Sequence, residues 1–133
     1  MRHRASGGFT LVEIMIVVAI IALLAAIAIP NVLRGRTTAT EAASVGNLRA
    51  LISSLEMYRS VNNAYPIAGA WQTNMYTSAD PDYGPPSFNV AMTGQTVSSY
   101  NYTYTGVSSG TTYTIDSVPS TPLTNGTRRF RAD

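Results

Sequence analysis

The sequence predicts an α+β protein in which a long N-terminal helix packs on a small antiparallel sheet of about three strands. Three patterns carry this prediction. An unbroken apolar run occupies residues 14–29, and apolar residues then recur at helical spacings of three and four up to Tyr58. In the C-terminal third, tyrosine alternates with threonine and asparagine, which is typical of strands. A chain of 133 residues has room for one globular domain of this kind.

The first apolar segment has the dimensions of a membrane-spanning helix. Residues 11–29 are apolar except for Glu13, and about 20 apolar residues cross a bilayer core of about 30 Å. Arg2 and Arg4 precede the run, whereas the rest of the chain is polar and formally neutral. This asymmetry predicts that the N-terminus stays in the cytoplasm and that the body is exported.

Glu13 separates two interpretations of this segment. An ordinary signal peptide would be cut after Ala28, at the motif Ala26-Ile27-Ala28, and would release a secreted binding domain. A carboxylate inside an apolar helix, however, costs roughly 2.5 to 3.5 kcal/mol on insertion scales for the comparable aspartate, and a signal peptide gains nothing from that cost. A partner that neutralises Glu13, such as a positive charge created close by, explains the residue better.

The helical pattern continues through residues 30–63. Pro30 lies inside it, so we expect a kink or a looser helix there. Glu41 and other polar residues occupy the remaining faces of this second half. The helix should end at Asn62-Asn63, because the residue before Pro66 is disfavoured in the helical region. One face carries the apolar residues Val45, Leu48, Leu51, Ile52, Leu55 and Tyr58.

Residues 64–98 are rich in glycine and proline and predict a long surface loop, or a loop with short strands. Four of its aromatic residues either form an adhesive or subunit-packing surface or pin the loop to the sheet. They are Trp71, Tyr76, Tyr83 and Phe88. Residues 99–133 predict the sheet, with a loop at 106–110 and strands over 100–105, 111–118 and 127–131.

Two polar clusters leave alternatives open. Arg129 and Arg131 alternate with Phe130 and blunt a sheet edge, or alternatively Arg128, Arg129 and Arg131 contact DNA or a partner subunit. Asp80 and Asp82 either form a plain turn or assist a Ca²⁺ ion.

Composition excludes most enzyme classes. The chain has no cysteine and no lysine, and its single histidine, His3, lies in the basic N-terminal tip. Thiolate nucleophiles, Schiff bases, catalytic triads and histidine zinc sites are therefore excluded from the folded part. The carboxylates form no pattern of an acid/base pair. We accordingly expect no catalytic residue, no metal site, no cofactor and no nucleic-acid partner.

The segment Gly8-Phe9-Thr10-Leu11-Val12-Glu13 follows a short basic leader and opens an apolar helix with Pro30 near its end. It resembles the class III signal of type IV pilins and the related pseudopilins, and the resemblance extends to about Pro66. This resemblance implies that a prepilin peptidase cuts after Gly8 and N-methylates Phe9. It also implies that the new Phe9 ammonium pairs with Glu13, commonly of a neighbouring subunit, during filament assembly.

The resemblance also implies an organisation for the whole chain. It runs from a cleaved leader, through an apolar transmembrane and assembly helix and its amphipathic continuation, to a helix-to-sheet loop and a C-terminal sheet. These segments comprise residues 1–8, 9–29, 30–63, 64–98 and 99–133.

The function implied is that of a structural prepilin that polymerises into a type IV pilus or pilus-like filament. The implied partners are other pilin subunits, the prepilin peptidase and methylase, an inner-membrane assembly machinery and, before assembly, the lipid bilayer. The precursor would be a single-pass protein of the bacterial inner membrane, and the filament would lie on the cell surface. The alternative is a periplasmic pseudopilin of the type II secretion system. The aromatic loop and the lack of an acidic Ca²⁺ cluster favour the pilus.

Overall fold

A computed structural model describes residues 7–107 and 110–133. The chain divides into two compact units, residues 1–35 and 36–133, and each is considered by itself below. Most of the predicted leader, residues 1–6, lies outside the described residues. So do Ser108 and Ser109 of the predicted loop at 106–110.

The helix α1, Leu11–Asn62, begins in the first unit. From Phe9 to Leu33 its large apolar side chains are between 50% and 85% exposed, and no residue in this stretch is buried. By length and composition α1 can cross a membrane, a criterion that a signal sequence also meets. Pro30 lies inside the helix, and the kink expected there stays a prediction.

In the second unit, α1 packs on the sheet through the predicted apolar face. Leu48, Leu51 and Leu55 are buried, while Ile52 and Tyr58 pack against them partly exposed. This confirms the helical periodicity. The helix ends at Asn62 as predicted, and the next residue, Asn63, adopts a left-handed φ of 57°. Asparagine tolerates that conformation and often terminates helices in this way.

The sheet is antiparallel and has four strands in the order β1-β2-β3-β4. The predicted fold class is therefore confirmed, with one strand more than expected. The strands are β1 (Thr93–Val97), β2 (Tyr100–Gly106), β3 (Tyr113–Pro119) and β4 (Phe130–Ala132).

The additional strand, β1, lies inside the region predicted as a loop. Its sequence, Thr-Gly-Gln-Thr-Val, has one large apolar residue, and the pairing register shifts between Thr93 and Gln95. The intervening Gly94 has a positive φ of 83°, which glycine accommodates without strain. This edge strand forms because the neighbouring β2 offers a partner, and not because of its own propensity.

The core between α1 and the sheet is lined by tyrosines. Tyr100, Tyr102 and Tyr104 alternate along the inner face of β2 and are at most 3% exposed. Their hydroxyls are satisfied, since Tyr100 donates to the Arg128 carbonyl at 3.2 Å and Tyr104 to the Pro66 carbonyl at 2.5 Å. A buried tyrosine is stable only with such partners, so the core combines apolar packing with fixed hydrogen bonds.

The loop aromatics also lie in the core. Trp71, Tyr76 and Phe88 are at most 3% exposed, and Tyr83 is half-buried. Trp71 Nε1 donates to the Phe88 carbonyl at 3.1 Å, and the Tyr76 hydroxyl donates to the Pro85 carbonyl at 2.9 Å. Of the two interpretations of these residues, the structure supports pinning of the loop. The loop contains short helical turns at Ala68–Ala70, Thr73–Thr77 and Pro86–Phe88.

Candidate functional site

The predicted processing and assembly residues lie at the N-terminal end of α1, where Thr10 and Glu13 bind each other reciprocally. The Thr10 N–H and hydroxyl donate to Glu13 Oε2 at 2.7 and 2.9 Å. In return, the Glu13 N–H donates to Thr10 Oγ1 at 3.2 Å. This arrangement is a capping box, in which the residue before the helix and its third residue satisfy each other's backbone donors.

The capping box gives Glu13 a local role that sequence analysis missed. The first N–H groups of a helix have no partner within the helix, and a negative charge in the first turn favours the helix dipole. The signal was present, because a threonine followed three residues later by glutamate ahead of an apolar run is a known helix-start pattern. Glu13 is therefore explained in part by helix capping, in addition to any pairing with another subunit.

Gly8 and Phe9 precede the helix in an open region. Phe9 is 85% exposed, and a Cβ added at Gly8 would meet nothing within 4 Å. The fold of the chain therefore places no demand for glycine at position 8. Any requirement for glycine there must come from a molecule that acts on the chain.

The structure brings Phe9 and Glu13 to one surface. With Ile14, Ile16 and Val17 they line a shallow concavity of about 360 Å³ on the helix end. Among residues 7–107 and 110–133, both hydrogen bonds to the Glu13 side chain use Oε2, and Oε1 has no donor there. The site can therefore accept a cation beside an apolar surface. Pro30 does not line this concavity.

A second polar cluster lies in the sheet-bearing unit and involves Glu41. Its side chain is 10% exposed, and it accepts the Thr127 N–H and hydroxyl at Oε1, both at 2.9 Å. Glu41 Oε2 accepts Arg128 Nε at 3.0 Å. We call Glu41, Thr127 and Arg128 the Glu41 bracket. The sequence placed Glu41 on a polar face of the helix and did not indicate that a distant segment folds over it.

The bracket favours the ionised carboxylate. The Thr127 N–H, the Thr127 hydroxyl and then the Arg128 guanidinium lower the pKa of Glu41, and burial opposes them only partly. The neighbouring Thr40 hydroxyl also donates to the Asn125 carbonyl. The segment before β4 is thus attached to α1 at two successive helical residues.

The C-terminal arginines have partners within the chain. Arg131 makes two parallel bonds of 2.9 Å to the two carboxylate oxygens of Asp116, and this hydrogen bonding lowers the pKa of Asp116. Arg128 belongs to the Glu41 bracket. These contacts support a structural role for two of the three arginines that were candidates for binding DNA or a subunit. Arg129 is exposed.

The described loop that contains Asp80 and Asp82 shows no preformed metal site. Asp80 and Asp82 are exposed, and within residues 7–107 and 110–133 no three histidine, aspartate or glutamate side chains converge on one point. The structure thus gives no positive support to a Ca²⁺ site at these residues.

Comparison with known proteins identifies the N-terminal segment. Residues 3–29 match the family model of the prokaryotic N-terminal methylation motif. The chain is 38% identical over 66 residues to type II secretion system core protein G of Aeromonas hydrophila, which covers 50% of this chain and 46% of that protein. It is 41% identical to the same protein of Pseudomonas aeruginosa over 66 residues, with the same shares of each chain.

A type IV pilin is similarly related. The chain is 45% identical over 62 residues to the type IV wide pilus major component PilA4 of Thermus thermophilus, which covers 47% of each protein. The chain spans about half the length of the curated relatives it matches. No solved structure matches the chain significantly. The resemblance inferred from residues 8–13 is thus confirmed, and the homologues are structural subunits rather than enzymes.

Proposed function

We propose that this chain, with its homology to type IV pilins and type II secretion pseudopilins, is a filament subunit. After cleavage between Gly8 and Phe9 and N-methylation of Phe9, it polymerises into a type IV pilus or pilus-like filament. The observation that carries the proposal is the N-terminal methylation motif at residues 3–29, whose apolar helical part, residues 14–29, has no buried residue.

The exposed apolar segment explains why polymerisation would follow from membrane storage. A helix that is apolar on all sides is stable in a lipid bilayer or inside a protein core. Such a helix leaves the bilayer only if other apolar surfaces cover it, and copies of the same helix provide those surfaces. We propose the bilayer as the store of subunits and the filament core as their destination.

Glu13 would direct this assembly. Cleavage after Gly8 creates an ammonium group on Phe9, and Glu13 Oε1 is available beside it on the same surface. A buried carboxylate is tolerated when a cation pairs with it, and the ammonium of a neighbouring copy meets that need. The capping box holds the Glu13 side chain in place for this contact.

The same proposal includes the topology and the processing partners. The precursor is a single-pass protein of the bacterial inner membrane with a cytoplasmic N-terminus, where a prepilin peptidase and methylase act on Gly8 and Phe9. An inner-membrane assembly machinery then adds subunits to the filament. The arginines ahead of the apolar run support this orientation.

Intact-mass measurement of the mature protein tests the proposal. The expected mass is that of residues 9–133 with one additional methyl group, located on Phe9 by fragmentation. A mature N-terminus at Ile29 would instead establish cleavage as an ordinary signal peptide. An unprocessed chain in a host with an active prepilin peptidase would also contradict the proposal.

A pseudopilin of the type II secretion system is the second candidate, and the similarity to several core protein G sequences favours it. Burial of Trp71, Tyr76 and Phe88 weakens the opposing argument for an adhesive aromatic loop. Deletion of the gene separates the candidates. Loss of surface fibres with normal protein secretion supports a pilus subunit, and loss of secretion supports a pseudopilin.

A further inference from the structure

The loop between β3 and β4 displays an apolar side chain in an unusual backbone conformation. Leu123 has a left-handed φ of 67° and is 83% exposed. Bulky residues rarely adopt this conformation, because the Cβ approaches the backbone. We call residues 120–127 the tip loop.

The conformation of the tip loop is fixed by its own hydrogen bonds. The Leu123 N–H donates to the Gly126 carbonyl at 3.0 Å, and the Asn125 N–H donates to the Thr121 carbonyl at 3.0 Å. The Asn125 side chain donates to Ser120 Oγ at 2.9 Å. At its C-terminal end the loop joins the Glu41 bracket through Thr127. These hydrogen bonds thus hold the backbone of Leu123 in its left-handed conformation.

Within the described chain, no contact favours leucine over another residue at position 123. The other described non-glycine residues with positive φ are Asn63, Ser98 and Ser99, which are small and polar. Asparagine would suit position 123 better, since its short side chain tolerates the left-handed region. A single exposed leucine is ordinary at a protein surface, but a leucine held in the strained left-handed region by its own loop indicates a function, and contact with another molecule would account for it.

The charge pattern identifies that molecule. Residues 120–127 carry no charged side chain, and neither do residues 14–33 of the apolar helical segment. Contact between these two surfaces buries apolar area without removing any ion from water. We propose that the tip loop is an assembly contact, in which Leu123 packs on the apolar helical segment, residues 14–33, of a second copy of the chain.

This contact deepens the proposed function and rests on it. Leu123 and the helical surface that would receive it are different parts of the same chain, so the contact is heterologous. Such a contact builds an open filament when the rotation between copies does not close a ring. Open repetition is what a filament requires. Because the loop is already ordered, little conformational entropy is lost when Leu123 binds.

Substitution of Leu123 in the full chain tests the contact. We expect Leu123→Asn to lower the filament yield about tenfold or more, as truncation of a central interface residue does. Leader processing and the melting temperature should match the wild type, because asparagine tolerates the backbone. Leu123→Met should restore assembly. The control is Ile67→Asn, since Ile67 is 44% exposed and has an ordinary extended backbone.

Disulfide crosslinking locates the partner surface. Because the sequence contains no cysteine, only the introduced cysteines can form disulfides. Subunits with Leu123→Cys are mixed with subunits that carry a cysteine at Val18, Leu24 or Val32, so that any disulfide joins two chains. We expect covalent dimers in filaments with at least one of the three. Ile67→Cys subunits should give none.

Several results would overturn the contact. Wild-type filament yield from Leu123→Asn, or filaments without a crosslink at any of the three positions, would each contradict it. A polarity-sensitive dye on Leu123→Cys that reports an apolar environment in vesicles before assembly would show that lipid covers the tip loop instead. If the wild-type chain forms no filament at all, the proposed function fails together with the contact, and the wild-type control identifies that case.

Discussion

The two halves of α1 differ in how their apolar residues are used. From residue 9 to 33 nearly every side chain is apolar and none is buried, whereas from 41 to 58 apolar and polar residues are mixed and Leu48, Leu51 and Leu55 are buried. Burial within the chain therefore follows helical periodicity and not apolar content. A segment without periodicity has no single face to offer to a sheet, and its partners must be lipid or other chains.

The two halves also use glutamate differently. Glu13 is exposed and binds Thr10, three residues away, so its contacts depend only on the local helix end. Glu41 is buried and binds Thr127, 86 residues away, so its contacts require the complete fold. The same residue type thus reports on helix formation in one half and on tertiary structure in the other.

The largest effect should come from Gly8. Gly8→Trp is expected to abolish leader cleavage, since a peptidase must approach the peptide bond closely, while the fold has open space at that position. Gly7→Trp is the matched control, because Gly7 also has nothing within 4 Å of an added Cβ. Electrophoretic mobility and intact mass measure cleavage. Equal cleavage of both variants would remove the specific role of Gly8.

The next effect separates the two roles of Glu13. Both Glu13→Ala and Glu13→Gln should insert into membranes but lower the filament yield by about tenfold or more, because an unpaired Phe9 ammonium is costly inside the filament. Glutamine can keep the capping box but lacks the charge. Filament counts by electron microscopy, in cells without wild-type subunits, measure the effect. Normal filaments from Glu13→Gln would refute charge pairing and leave capping as the role of this residue.

A matched pair of truncations tests the contrast in burial. Leu51→Ala should lower the free energy of unfolding of the sheet-bearing unit by roughly 2–5 kcal/mol, because Leu51 is 0% exposed. Ile21→Ala removes a side chain that is 58% exposed and should leave that free energy unchanged. Urea denaturation of the full chain in detergent, followed by tyrosine fluorescence, makes the measurement. Similar losses in both variants would contradict the assignment of residues 9–33 to an external partner.

The loss of folding stability at acid pH should depend on the Glu41 bracket. The pKa values of Glu41 and Asp116 are lowered in the folded protein, so their stabilisation is complete above the ordinary carboxyl pKa of about 4. It is lost as the pH falls through the lowered values. Melting temperatures between pH 7 and pH 3 should therefore fall mainly at the acid end. Glu41→Gln should flatten this fall. A fall of the same size and steepness in Glu41→Gln would contradict the role of the bracket.

The smallest effect concerns calcium. The melting temperature of the full chain should not change when millimolar Ca²⁺ is added, because Asp80 and Asp82 are exposed and no third acidic side chain joins them in the described chain. A rise of several degrees that requires either aspartate would contradict this expectation. It would also favour the pseudopilin over the pilus subunit.

Local patterns made much of the fold predictable. The periodicity of residues 45–58 located the buried face of α1, and alternation of Tyr100, Tyr102 and Tyr104 located the inner face of β2. Both patterns arise from the geometry of a single element, so one segment of sequence contains them. The proposed processing site at Gly8 and Phe9 likewise lies in one continuous segment, residues 3–29, which the family model of the methylation motif matches.

Features that depend on distant segments could not be predicted. Glu41 is buried because Thr127 and Arg128 fold over it, and no local pattern indicates this. For the same reason the last strand begins at Phe130 and not at Thr127, whose N–H binds Glu41. The sequence left open whether residues 64–98 contain short strands, and β1 could not be located there because it depends on pairing with β2. The capping box, by contrast, could be predicted from residues 10–13. It was missed because Glu13 was explained only by pairing with a positive charge.

The reciprocal bonds between Thr10 and Glu13 lie entirely on the C-terminal side of the peptide bond that joins Gly8 to Phe9. Removal of the leader therefore leaves the first turn of α1 with both of its capping side chains. On the proposed processing, precursor and mature subunit would share one helix start. Cleavage would then change the charge in front of that start and leave its capping bonds in place.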